Sequence, residues 1–476
     1  MDLSVKFLTF LPRRCAGLVI ERSSFGLGLA FVLASFLLSA CQSSNVTNSS
    51  QDTQATPQAA PTTPAEREAV ADWTESLSQY GNGPVRGEAI DQQDNSVTVA
   101  MLLPLSGEHG QTGQALLNAA QVALFDLAGD NFKLVVQDTA GSPEGAEAAA
   151  RTALAAGAEL ILGPLFSTSV EAVTPVAQAA GVKVIAFSSN RAVAGDGVYV
   201  MGLAPQLQVE RIVAYAASQG LRQFGILAPE TPYGQTVAQA MRTATDRNAI
   251  ALNRVVFYDP ASPDLSPEVR SLANYDGRQS SLQSRKQALR AAGDAASLRA
   301  LARLRGVETI GTLEFDAILL AGTAQQALSL APLLAYYDVD PNVVRFLGTA
   351  LWDGADLGTE PSLTGSWFAA PVPEHWNAFR KRYVETFGSV PPRVASLAYD
   401  ATALAAVLAV QASNRGLEPA YDDITFTQAS GFAGVDGIFR FFPNGQNERG
   451  LAVLSVERDA VKVIDPAPAS FENLIN

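Results

Sequence analysis

Two hydroxyl-rich segments, Ser167-Thr168-Ser169 and Ser188-Ser189-Asn190, stand where short apolar runs give way to polar sequence. Hydroxyls and the free backbone N–H groups of a helix start both donate to oxygen, so such segments suit a carboxylate or another acceptor-rich group. The same side chains also serve as helix N-caps. Ser106, in Pro104-Leu105-Ser106-Gly107, and Tyr233, in Pro232-Tyr233-Gly234, occupy similar junctions.

Catalysis has less to draw on. The chain holds two histidines, His109 and His375, and two cysteines, Cys15 and Cys41. Cys15 falls in an export signal and Cys41 at a lipidation site, both described below, so Cys/His catalysis and a multi-histidine metal site are excluded. His109 reads as a solvated loop residue and Asp422-Asp423 as turn or cap carboxylates without a catalytic partner. Gly107, Gly110 and Gly113 do not fit G-x-G-x-x-G, and no phosphate-loop lysine accompanies them, which argues against a nucleotide. The chain reads as a binding protein, with no catalytic residue, metal or cofactor expected.

The elements that must position these residues alternate between short β-branched or Leu-rich runs and Ala/Leu-rich stretches of helical spacing, the order of a parallel sheet with helical crossovers. Strands are expected at 97–103, 132–137, 160–162, 182–187 and 198–201, with helices near 145–156, 169–180 and 205–219. After the first strand, Leu117, Ala120, Leu124 and Leu127 share one helix face. A second series runs through 224–227, 255–258, 317–320 and 344–347. The fold class is therefore α/β, two doubly wound Rossmann-like lobes. The first lobe is expected over 96–204 and 371–432, the second over 205–370 and 433–464, and a tail over 465–476. Three crossovers at 202–205, 365–370 and 431–437 would form the hinge. Residues 261–311 interrupt the second lobe and include Arg285, Lys286, Arg290, Arg299, Arg303 and Arg305. They read as a solvated helical excursion, with a docking surface for a partner as the alternative.

The N-terminus reads as an export signal over 1–40, with Lys6, Arg13, Arg14 and Arg22 ahead of an apolar run at 25–38. That run is shorter than the roughly 20 residues of a bilayer span. It ends in Leu38-Ser39-Ala40-Cys41, which resembles a lipobox, so Cys41 is the expected lipidation site and lipid anchor. Residues 41–95 then supply the lipidated Cys and a flexible tether rich in Ser, Thr, Gln, Ala and Pro. A formal net charge of −14 excludes nucleic acid as a natural partner.

Taken together, Pro104-Leu105-Ser106-Gly107 with Gly110 and Gly113, Gly163-Pro164-Leu165-Phe166-Ser167-Thr168-Ser169, Phe187-Ser188-Ser189-Asn190-Arg191, Pro232-Tyr233-Gly234 and Tyr399-Asp400-Ala401 resemble the type I periplasmic binding protein superfamily over 96–464. The resemblance, to Leu/Ile/Val-binding proteins, implies a small-molecule ligand in the cleft between lobes. Ser106, Ser167, Thr168, Ser188, Ser189, Asn190 and Tyr233 are then the candidate contacts. Amino-acid binders of this kind hold the ligand ammonium with aromatic and acidic side chains of the second lobe. Here those loops read Ala321-Gly322-Thr323 and Gly348-Thr349-Ala350, and Trp352 and Asp353 are either substitutes or lobe packing.

Ala186-Phe187-Ser188-Ser189-Asn190-Arg191, the inserted helix and Leu351-Trp352 more closely resemble the penicillin-binding protein activator family. This implies an outer-membrane lipoprotein that regulates a peptidoglycan synthase, a penicillin-binding protein. Gln42 after Cys41 agrees with the outer membrane, since aspartate there is the inner-membrane retention signal. Residues 42–95 are too short for the helical-repeat domain that precedes the binding-like domain of enterobacterial members. The alternative is a substrate-binding lipoprotein of an ABC importer for amino acids or similar molecules, with an ABC permease as partner.

Overall fold

The computed structural model describes residues 96–471. The expected signal, Cys41 and the tether lie outside the described residues, as do 472–476 of the expected tail.

Val97–Leu103 (β1) is buried along its whole length, with Val97, Val99, Met101 and Leu103 entering one core and Ala100 and Leu102 another. A strand covered on both faces is apolar throughout rather than alternating, as parallel sheets require. The chain continues through Gly110–Leu127 (α1), Phe132–Asp138 (β2), Pro143–Ala155 (α2), Leu160–Leu162 (β3), Ser167–Ala179 (α3), Lys183–Ala186 (β4) and Val198–Val200 (β5). The five strands pair in parallel in the order β2-β1-β3-β4-β5. Helix α2 starts at Ser142, whose hydroxyl accepts from Gly145 N at 3.0 Å, and meets the sheet through Ala146, Ala149, Ala150 and Ala153.

The second lobe opens with Pro205–Ser218 (α4), Gln223–Pro229 (β6), Pro232–Arg247 (α5) and Ala251–Tyr258 (β7). Three helices follow, Ser266–Leu272 (α6), Tyr275–Ala292 (α7) and Ala295–Arg303 (α8). Then come Ala317–Leu320 (β8), Ala324–Tyr336 (α9), Arg345–Gly348 (β9) and Trp367–Ala370 (β10). Pro373–Phe387 (α10), Ala395–Ser413 (α11) and Asp423–Phe426 (α12) return to the first core, followed by Phe432–Gly434 (β11), Gly437–Phe441 (β12) and Asn447–Arg449 (β13). Ala452–Val456 (β14) and Val461–Asp465 (β15) end the series. The second sheet runs β15-β14-β10-β9-β8-β6-β7, parallel from β10 to β7 and antiparallel at β14 and β15.

Both lobes are thus doubly wound α/β layers joined by three crossovers, two of them displaced from expectation. The expected third crossover, 431–437, lies inside a small antiparallel sheet of β11, β12 and β13. Phe432, Phe439 and Phe441 insert into the first lobe's core, and Gly445 O accepts from Val200 N at 2.9 Å. The first lobe therefore keeps the chain to Arg449, and only β14 and β15 join the second sheet. The expected second crossover, 365–370, is largely β10 itself, and the chain crosses at 371–372. The first segment between the two sheets is 201–204, against the expected 202–205.

Helix α11 is long and apolar enough by composition to cross a membrane, but it is a buried core helix, lying against α1. Within the insertion, α6 buries Val269 and Leu272 in the second lobe's core, α7 buries only Leu282 and Leu289, and α8 buries nothing.

Candidate functional site

Strand order reverses between β1 and β3 in the first sheet and between β6 and β8 in the second. Ligands of open α/β sheets bind in the crevice outside strand C-termini at such switch points. The first lobe brings Ser106, Ser167 and Thr168 to its switch point, and Ser188, Ser189 and Asn190 follow the adjacent β4.

The loop after β1 is braced from the end of β2. Asp138 Oδ1 accepts from Leu105 N at 2.8 Å, Ser106 N at 3.3 Å and Ala140 N at 2.8 Å. Burial raises the Asp138 carboxyl, but hydrogen bonds from the Ser106 hydroxyl and these backbone groups prevail and hold it below its ordinary value. Ser106 is therefore turned toward Asp138, although it remains exposed. His109 is exposed, its ring 4.7 Å from that of Phe166. Gly113, in the first turn of α1, lets that helix press on the same loop, because a Cβ there would lie 2.1 Å from Pro104 O.

Ser167 and Thr168 occupy the first two positions of α3, one half-buried and one exposed. Next to them, Ser169 is fully buried and its hydroxyl has no hydrogen-bond partner among the described residues. Gly163, at φ +85°, sets the approach of this loop, since a Cβ there would meet Leu102 O at 2.4 Å.

After β4 the hydroxyls divide. Ser188 is buried and its Oγ accepts from Asn190 N at 3.1 Å, while Ser189 is exposed. Asn190 caps a short turn by accepting from Ala192 N at 3.0 Å. Asn190 thus takes the capping role, one of the two roles open to it in sequence.

In the second lobe Tyr233 opens α5 and its hydroxyl lies 2.9 Å from Thr349 Oγ1. Burial pushes the Tyr233 phenol up to about 12, against the hydrogen bond with Thr349. The Tyr258 hydroxyl, buried with no hydrogen-bond partner among the described residues, also rises to about 12 through burial and its neighbour Tyr233. Trp352 is fully buried beneath Gly348, where a Cβ would lie 2.3 Å from its ring, and against Phe368. Of the two readings of Trp352, lobe packing is the one realised.

Asp353 takes another role. Arg393, just ahead of α11 in the first lobe, donates from Nε to Asp353 Oδ2 at 2.8 Å and from Nη1 to Asp436. Ser396 Oγ donates to Asp436 Oδ2 at 2.7 Å, and Trp376 lies 4.4 Å from the guanidinium. Burial works against the charged guanidinium, but Asp436 and Asp353 outweigh it and raise its pKa. Behind this bridge lies Asp400, raised to about 7 by burial and Asp436, with Arg449 Nη1 at 3.8 Å. Arg449 also donates to Met201 O at 2.9 Å, which ties the third crossover to the first. Gln208 makes a comparable tie, accepting from Ala350 N at 2.8 Å and donating to Leu203 O at 3.0 Å. A groove of about 470 Å³ runs along the bridge, lined by Asp353, Trp376, Arg380, Arg393 and Val461 among others.

Arg393, Asp436 and Gln208 carry no signal in the sequence, and Thr349 stands there only as part of a loop. Their partners lie up to 142 residues away, and no local pattern announces such pairs.

The family model for "Periplasmic binding protein" matches residues 96–460. An uncharacterized protein of Rickettsia prowazekii (strain Madrid E) is 28% identical over 184 residues, which are 38% of this chain and 49% of that protein. The matched segment therefore spans about half the length of that curated relative. A putative branched-chain amino acid ABC transporter protein from Rhodospirillum rubrum superposes with a TM-score of 0.59 at 18% identity, covering 78% of this chain and 100% of that one. Full-length LpoA from Haemophilus influenzae gives 0.54 at 16% identity, covering 78% of this chain and 60% of that one. At these identities the solved structures establish a shared fold.

Proposed function

The chain belongs to the periplasmic binding protein family, and on that premise we propose that it is a lipid-anchored periplasmic regulator that activates a peptidoglycan synthase, without catalysis of its own. The observation that carries this reading is the second-lobe wall of the cleft. Thr349 is engaged with Tyr233, and Asp353, the acid nearest the end of β9, is committed to Arg393. An ammonium entering here would have to displace an arginine from a nearly buried carboxylate. The lobes are instead held by the protein's own side chains. That suits a module whose surface, rather than a trapped solute, carries the message.

In this reading Cys41 anchors the chain to the outer membrane and residues 41–95 extend its reach toward a synthase in the inner membrane. The likeness to LpoA supports the reading at the level of fold. The test is binding and stimulation of a purified penicillin-binding protein by the full chain. Saturable binding and faster glycan polymerisation are expected, with no thermal shift from free amino acids.

One observation favours a second reading, a substrate-binding lipoprotein of an ABC importer. Ser167 and Thr168 open α3, whose first backbone N–H groups suit a carboxylate, and the Ser169 hydroxyl, buried next to them, has no hydrogen-bond partner among the described residues. A ligand at 100 times its dissociation constant adds about 2.7 kcal/mol of stability. A shift of that size with a free amino acid would overturn the regulator in favour of the receptor.

A further inference from the structure

The cleft leaves the helical hairpin of α7 and α8 unused, and that hairpin holds a concentration of cations. Over residues 285–305, Arg285, Lys286, Arg290, Arg299, Arg303 and Arg305 stand with one carboxylate, Asp294, in a chain of formal net charge −14. Asp294 is already committed, capping α8 by accepting from Ala296 N and Ser297 N at 2.9 Å each. The five arginines are exposed, and none has an ion pair or side-chain hydrogen bond among the described residues. Lys286 Nζ reaches only Val307 O, at 3.4 Å.

The base of the insertion is built differently. Arg254 pairs with Glu314 at 2.8 Å, Arg278 with Asp338 at 3.2 Å and Arg270 with Asp276, and Leu282 and Leu289 are buried. The base is pinned by ion pairs, and Leu282 and Leu289 hold the inner face of α7, whereas the arginines on its outer face and on α8 have no ion pair among the described residues.

The tip also works against its own helices. Lys286 with Arg290 and Arg299 with Arg303 are like charges at i,i+4, an arrangement that weakens a helix. A merely solvated face is better served by interspersed signs. No residue of α8 is fully buried; Ala300, Leu301 and the C-cap Leu304 are half-buried, while Leu298 is 53% exposed, so packing does not account for the outward face.

We propose that the α7–α8 hairpin is a docking surface for an acidic segment of a partner protein. Its carboxylates would take the forked guanidinium groups of Arg285, Arg290, Arg299 and Arg303, which suit bidentate pairing. An apolar side chain of the partner covers Leu298. Protein is favoured over an anionic bilayer because interfacial helices need a broad apolar face, and Leu298 is the one large apolar side chain of the hairpin that stands exposed. The inference does not rest on the regulatory reading, since an importer's permease would meet the same surface.

The test uses the full chain in detergent and a fluorescent poly-L-glutamate peptide, read by anisotropy at low and moderate salt. Saturable binding that weakens with salt is expected. The variant R285Q/R290Q/R299Q/R303Q is expected to weaken it about tenfold or more. The control R242Q/R415Q/R458Q, removing exposed unpaired arginines elsewhere, leaves it unchanged. Equal loss in the control overturns the proposal, as does absence of binding. Binding to phosphatidylglycerol vesicles but not the peptide overturns it in favour of a membrane. Self-association in sedimentation that the quadruple variant abolishes overturns it in favour of a second copy. Unchanged thermal melting of both variants confirms that lost binding is lost contact.

Discussion

Arg393 Nε lies 2.8 Å from Asp353 Oδ2, and the two residues belong to different lobes. The same guanidinium holds Asp436, whose side chain is fully buried. One cation therefore satisfies a carboxylate of its own lobe and clasps one of the other.

Removing Arg393 leaves Asp436 buried without its cation, so R393A is expected to cost about 3–5 kcal/mol in urea unfolding, the range for breaking a buried pair. D353N removes only the inter-lobe half and is expected to cost less, while letting the lobes part. Small-angle scattering should then give D353N a larger radius of gyration than the parent. An unchanged radius would mean that the crossovers alone fix the lobes.

Asp400 makes stability depend on pH. Its carboxyl is raised to about 7 by burial and by Asp436, from an ordinary value of 3.8. An acid raised on folding takes up a proton with folding, so its favourable contribution is complete below pH 4 and lost as the pH rises through about 7. Asp126 and Glu159, both raised chiefly by burial, act with the same sign. Asp138 and Asp423 are lowered and add stability that is lost only as the pH falls through their depressed values. The parent should therefore have a higher urea midpoint at pH 5 than at pH 8. D400N should flatten that difference, and an equal slope in D400N would assign the effect elsewhere.

Much of this fold was legible because its strands are buried on both faces, as β1 is, and so stand out as apolar runs. Helix starts were less legible: α2 begins at Pro143, behind the Ser142 cap, where apolar spacing alone suggested 145. Strand β10, Trp367-Phe368-Ala369-Ala370, has four residues directly after Gly365-Ser366, and that Gly together with the two Ala makes the segment read as hinge. The β11 to β13 sheet shares its alternation with β14, and it is the burial of Phe432, Phe439 and Phe441 and the bond from Val200 N to Gly445 O that assign it to the first lobe. Of the site, the hydroxyl-bearing loops were visible as segments. The Arg393 bridge was not, because Asp353 and Asp436 lie 40 and 43 residues from it on either side.

Gly163 carries the loop that presents Ser167 and Thr168. Its φ is +85°, and a Cβ added there would stand only 2.4 Å from Leu102 O, which leaves no room for a side chain. G163A is expected to destabilise by about 1–3 kcal/mol from the backbone conformation alone, with the clash adding to it. Thermal unfolding measures the loss, and a neutral G163A would show that the loop re-forms with another path.

Ser169 separates the two functional readings at the level of one atom. Its hydroxyl is fully buried and without a hydrogen-bond partner among the described residues. A buried hydroxyl left unpaired costs about 1–3 kcal/mol, and deleting its oxygen, as alanine does, removes most of that cost. S169A should therefore be neutral to stabilising in the ligand-free protein, by up to about 1 kcal/mol in urea unfolding. Under the regulatory reading, that variant should bind and stimulate the synthase as the parent does. Under the receptor reading, the hydroxyl is held in reserve for a ligand carboxylate, and S169A should lose affinity for it about tenfold, the equivalent of 1.4 kcal/mol. A destabilised S169A would instead mean that the hydroxyl finds a partner in the folded protein, and the donor set at the start of α3 would then be reduced to Ser167 and Thr168.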